Sequence, residues 1–157
     1  MNAEWHEKHR MPPRAKLPQR VKWHLEHARE CGCRPIPGTV LDAILRRFDK
    51  PDEVRKMIKG RFEVANIEGM TIGRATYEPG WKWSKHVGPA LCQSRCSVEH
   101  LGFVLSGKAT AAYNDGRVDV LRAGQRFHVE PEPHDSWVIG DEPYVSLHFV
   151  GADRYSK

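Results

Sequence analysis

The sequence predicts an all-β barrel or sandwich with an α-helical segment in front of it, the change falling near residue 60. Three observations predict this. From Arg61 onward, short strand-like pieces alternate with glycine- or proline-rich turns at a spacing of about 8–12 residues, as all-β domains do. Asn114-Asp115-Gly116 stands between two such pieces as a hairpin signal. Before residue 60 the breaker-free stretches are longer and suit helices.

Taken in order, MNAEWHEKHR is charged and lacks the apolar core of a secretory signal, so a cytoplasmic location is the expectation. Met11 to Pro18 is proline-punctuated and predicted extended. Gln19 to Glu30 has no breaker and predicts a helix ending near Gly32. After the joint RPIPG, Thr39 to Phe48 predicts a second helix, with Thr39 as N-cap and Val40, Ile44 and Leu45 on one face. KPDEVRKMIKG predicts a third, with Pro51 near its start, acids in its first turn and Gly60 as its stop. The strand-like pieces then begin at Phe62, Met70, Ser97, Lys108, Arg117, Gln125, Asp135 and Tyr144. Residues 1–60 therefore form a basic, helical segment and residues 61–157 a β-barrel.

A chain of 157 residues has room for one real core. With 39% hydrophobic and 29% charged residues its composition is that of an ordinary soluble domain, and no apolar run approaches a membrane span. The net charge of +5 is uneven: residues 1–60 hold 14 Lys/Arg against 8 Asp/Glu, the remainder 11 against 12. A solvated surface is the ordinary meaning of such a balance, so nucleic acid is not an expected partner. The four cysteines are expected to stay reduced. Nine histidines are many, and their positions carry the chemistry.

Gly80 is followed by five residues and then His86; His100 by six residues and then Gly107; Gly124 opens QRFHVEPEPH, which ends on His134. In this arrangement the chain resembles the cupin superfamily over about residues 65–150. The first cupin motif runs G, five residues, H-x-H, a spacer, E, six residues, G. Here the second histidine position is Gly88 and the glutamate position is His100. The second motif's P-x-G part reads EPEP, one residue short, and its asparagine position holds Val138. The resemblance implies a jelly-roll barrel holding a metal through His86, His100 and His134. Such a set leaves open positions for water or substrate and suits Zn, Fe, Ni or Cu over Mg or Ca.

Other residues stay between readings. Strand alternation puts His100, Gly102 and Val104 on one face and Leu101, Phe103 and Leu105 on the other, and the resemblance buries the second face between sheets. Trp83, His128 and His148 are candidates to line the cavity, against a plain core or rim role. Cys92 and Cys96 lie in the spacer between ligands, either as soft ligands or as inert thiols.

The front segment repeats W-H-x-x-H, at Trp5 to His9 and at Trp23 to His27. On a helix, His24, His27 and Cys31 fall within an arc of roughly 60°, and Cys33 can turn back past Gly32 to the same point. These four form a candidate zinc set; the alternative is a helix packing its rings on the barrel.

Two functions follow as expectations. One is a metal-dependent reaction on a small organic molecule, with dioxygenase chemistry its sharpest form, because three-histidine cupins include dioxygenases. The other is a non-catalytic metabolite-binding or sensing module whose basic segment meets a partner. A homodimer is expected from the resemblance, and fold alone does not decide between catalysis and binding.

Overall fold

In the computed structural model, which describes residues 1–157, strands begin at Glu53, earlier than the sequence predicts. The expected third helix is instead strand β1 (Glu53–Met57), antiparallel to β2 (Gly60–Ile67). Its burial alternates residue by residue, with Glu53, Arg55 and Met57 half-buried and Val54 and Lys56 exposed. Lys59, at φ 59°, makes the tight turn between the two strands. The ladder to β2 satisfies the backbone that a short, charged helix would otherwise satisfy alone.

Seven further strands follow: β3 (Met70–Tyr77), β4 (His100–Ser106), β5 (Lys108–Tyr113), β6 (Val118–Arg122), β7 (Arg126–Val129), β8 (His134–Asp135) and β9 (Tyr144–Val150). They form a six-stranded sheet in the order β1-β2-β3-β9-β4-β7 and a three-stranded sheet in the order β6-β5-β8. All pairings are antiparallel. The two sheets enclose one apolar core that includes Phe62, Trp81, Trp83, Val104, Ala111 and Phe127. This is the all-β, cupin-like jelly-roll architecture with an α-helical segment in front.

The front segment comprises α1 (Ala3–Lys8), α2 (Leu17–Glu30) and α3 (Gly38–Arg46), the last running into a 3₁₀ turn at Arg47–Asp49. Asn2 caps α1, its side-chain oxygen accepting from the Trp5 amide at 3.1 Å. The second and third helices and the 3₁₀ turn bring Val21, Leu25, Val40, Ile44 and Phe48 onto Ala65, Ile67, Ile72, Leu147 and Phe149 of the large sheet. Each fully buried aliphatic side chain there contributes about 1.5–3 kcal/mol. Phe103 and Leu105 pack against this same layer, so the second face of β4 is covered by helices and not by another sheet. Residues 1–60 thus supply a lid of helices and, in β1, an edge strand. No helix is long and apolar enough to cross a membrane.

A fourth helix, α4 (Trp83–His86), and a 3₁₀ turn at Gly88–Leu91 interrupt the β half between β3 and β4. The resemblance does not anticipate a helix there, and it decides where His86 goes.

Candidate metal centre

Strand β4 opens with His100, which shares an inward face with Gly102 and Val104. A Cβ on Gly102 would lie 2.1 Å from the Leu147 carbonyl oxygen and 2.5 Å from the Phe127 ring. Only glycine lets β4 approach β9 and Phe127 so closely, and that approach sets the depth of His100. Strand β8 opens with His134, paired with Tyr113 of β5. On its other side His134 meets Cys96 in an isolated bridge: each backbone N–H donates to the other's carbonyl at 2.9 Å.

These pairings converge three ligand atoms, from Cys96, His100 and His134, all buried and all within 4.8 Å of one another. The Cys96 Sγ to His100 Nε2 separation is 3.5 Å. A thiolate and an imidazole sharing one tetrahedral first-row metal stand about 3.6 Å apart, so the separation fits. His134 Nδ1 lies 2.7 Å from the Glu132 carbonyl oxygen. Donation of Nδ1–H to that oxygen fixes the tautomer and leaves the Nε2 lone pair free to bind.

The three residues line a cavity of about 40 Å³, together with Trp81, Trp83, Phe127, Tyr144, His148 and Tyr155 among others. No carboxylate is among its walls. Four buried ring nitrogens of these residues lack a hydrogen-bond partner: Trp81 Nε1, Trp83 Nε1, His100 Nδ1 and His148 Nδ1. Unsatisfied polar atoms are costly at this burial, and these four belong to residues that line one cavity. Burial, then the neighbouring His148, His134 and Arg154, holds His100 well below the ordinary imidazole range. Burial lowers His134 as well, and takes His148 down to about 3. All three rings are therefore neutral at neutral pH, the state that binds a cation. Burial pushes the Cys96 thiol up to about 11, so this sulfur gives up its proton only when a cation compensates.

The candidates from sequence divide on this geometry. His100 and His134 come together; His86 does not join them. The chain from Trp83 winds into α4, and the Lys82 amide donates to His86 Nδ1 at 2.9 Å, turning that ring into a surface groove with Arg55 and Lys85. Cys96 stands in its stead. His148 and Trp83 line the cavity, the His148 ring 5.4 Å from that of His100, with its Nε2 3.1 Å from Ser146 Oγ. His128 lies outside the cavity, exposed, its Nε2 2.8 Å from Glu99 Oε1. Cys92 is exposed, in left-handed backbone at φ 54° after the 3₁₀ turn.

The front segment holds a second group. Here too one residue differs from expectation: the ligand atoms within 4.8 Å of one another belong to His6, His27, Cys31 and Cys33, with His6 in place of His24. His24 is buried against the edge of Trp23, with its Nδ1 unpartnered. α1 crosses α2 on the His27 side, so the ring that completes the group comes from the neighbouring helix.

No family model matches the chain, and no curated protein matches it in sequence. Solved structures with some similarity include a protein of unknown function (DUF1255) from Acidithiobacillus ferrooxidans, 17% identical, TM-score 0.47, over 62% of this chain and 86% of that one. Lactobacillus farciminis oxalate decarboxylase is 18% identical, TM-score 0.48, over 68% of this chain and 32% of that one. Bacillus subtilis oxalate decarboxylase, a protein with Mn(II) centres, is 22% identical, TM-score 0.45, over 78% and 36%. The chain spans about a third of the length of each decarboxylase.

Proposed function

We propose that this chain is a metal-binding barrel protein in which Cys96, His100 and His134 hold a first-row transition ion that acts on a molecule of only a few heavy atoms. The observation that carries the reading is the convergence of three buried ligand atoms on one small cavity. Three protein ligands leave open positions on the ion, as catalytic sites do. One thiolate and two imidazoles favour Zn, Fe, Ni or Cu over hard cations. When bound, the ion supplies Lewis acidity and, if it is iron or copper, a redox couple. The protein supplies the rest. His134 is oriented by the Glu132 carbonyl, Cys96 brings a negative charge once deprotonated, and the indole and phenol rings exclude bulk water.

A cavity of about 40 Å³ has room for roughly three water molecules. Dioxygen fits that space; an organic substrate of ordinary size meets Trp83, Phe127 and Tyr144. The expected dioxygenase reading then requires that the molecule oxidised, which takes both oxygen atoms, have only a few heavy atoms or reach the ion through a group that small. Nitric oxide, a dioxygen analogue, tests it. Anaerobically Fe(II)-loaded protein is expected to give the high-spin iron–nitrosyl EPR signal, which His100→Ala abolishes. Failure of the wild type to retain metal in chelator-free, metal-replete purification, once the front group is accounted for, would overturn the reading.

A second reading is favoured by a larger groove, about 360 Å³, between the α2–α3 joint and the large sheet. Arg34 and Arg126 stand over Ile36, Leu41, Phe103 and Phe149 there, a lining that suits a small amphipathic anion. Binding of such a molecule without turnover, unaffected by His100→Ala, would favour the sensing module.

A further inference from the structure

The group at the front of the chain is independent of the barrel site and differs from it in kind. Its His6 Nε2 lies 3.5 Å from Cys31 Sγ and 3.4 Å from Cys33 Sγ, while His27 Nε2 lies 3.3 Å from Cys33 Sγ. Two thiolates and two imidazoles around a tetrahedral zinc stand roughly 3.3–3.8 Å apart. The observed separations are those of a set already drawn to a common centre.

The local chain is shaped to present it. α2 ends at Glu30, and the amides of Cys31 and Gly32 both donate to the His27 carbonyl, at 2.9 and 2.7 Å. Gly32 takes left-handed backbone at φ 63°, which turns Cys33 back toward His27 and makes the short C-x-C spacing workable. A side chain at Gly32 would also strike Arg126, whose Nε donates to the Ala28 carbonyl at 3.1 Å. The Asn2 backbone N–H donates to Cys31 Sγ at 3.2 Å, an amide-to-sulfur bond that favours the thiolate. Trp23 stacks on the His27 ring at 5.0 Å and 6°, fixing its plane.

We infer that His6, His27, Cys31 and Cys33 bind one structural zinc ion that fastens α1 to the end of α2. Four protein ligands close the tetrahedron and leave no position for a substrate. The S₂N₂ donor set selects zinc over hard cations. A six-residue helix is unstable by itself, and the ion gives α1 a reason to fold where it does.

The test uses the full chain carrying Cys96→Ser and His100→Ala, so that the barrel group contributes no metal. Purified without chelator from zinc-supplied cells, it is expected to carry one zinc per chain. His6→Ala or Cys33→Ser in that background should weaken zinc binding about a hundredfold or more, whereas His24→Ala should leave it within about threefold. Chelation should release α1, read as new trypsin cleavage after Lys8, within that helix. Zinc absent from the starting chain, or retained at full stoichiometry by Cys31→Ser/Cys33→Ser, would overturn the inference. If the barrel variants do not fold, wild-type protein loaded with Co(II) gives the same answer. Cobalt bound with two-thiolate charge-transfer intensity, lost in Cys31→Ser/Cys33→Ser, supports the site. Bands that persist unchanged in that variant refute it.

Discussion

The two His/Cys groups use the same side chains in opposite settings. In the barrel, three buried ligand atoms come from a loop residue and two strands and face a cavity. At the front, four atoms come from two helices and a turn; Cys33 is exposed, and His6 and Cys31 are half-buried. Residue type does not separate a centre for chemistry from a fastening. Ligand count and the free space beside the ion do.

Gly102→Ala is the substitution expected to separate the groups most sharply. The new methyl has no room against Leu147 and Phe127, so a cost of about 3 kcal/mol or more is expected in urea unfolding. The barrel metal should be lost with it, and unchanged metal content would mean that this close approach does not place His100. Leu25→Ala, in the layer joining the two regions, should cost about 3 kcal/mol. A single transition is expected, because helices and sheet share that core. A separate early transition would make the front segment an independent unit.

Acid probes the barrel. In the metal-free chain His148 stays neutral when folded down to about 3, while its unfolded counterpart takes up a proton below about 6.5. Stability is therefore undiminished above pH 6.5 and falls as pH drops toward 3, by up to about 1.4 kcal/mol per pH unit for this residue. His148→Phe should reduce that slope in urea unfolding at a series of pH values; an unchanged slope would assign it elsewhere. The least effect is expected from His86→Ala and His128→Ala. Both should keep the full metal content by elemental analysis, and the His128–Glu99 pair should be worth less than about 1 kcal/mol in unfolding.

The strands from β2 onward were legible because period-two alternation and glycine or proline turns are local signals. β1 was not: five residues rich in charge carry little periodicity, and only pairing with β2 reveals them. The same limit explains the sites. Motif spacing presumes that the chain stays extended, and a four-residue helix moved His86 out of reach. Cys96, which the sequence left between soft ligand and inert thiol, comes in through a bridge to His134, 38 residues later, which no spacing rule encodes. At the front, helix angles on α2 alone pointed to His24, and they carry no information on which side α1 would cross to bring in His6.

Arg126 has a consequence for the order in which the molecule is made. All four ligands of the front group have been synthesised once Cys33 is added. The clamp on the turn that carries two of them comes from β7, 98 residues beyond the Ala28 carbonyl it holds. The front segment is thus synthesised well before the barrel strand that clamps its turn.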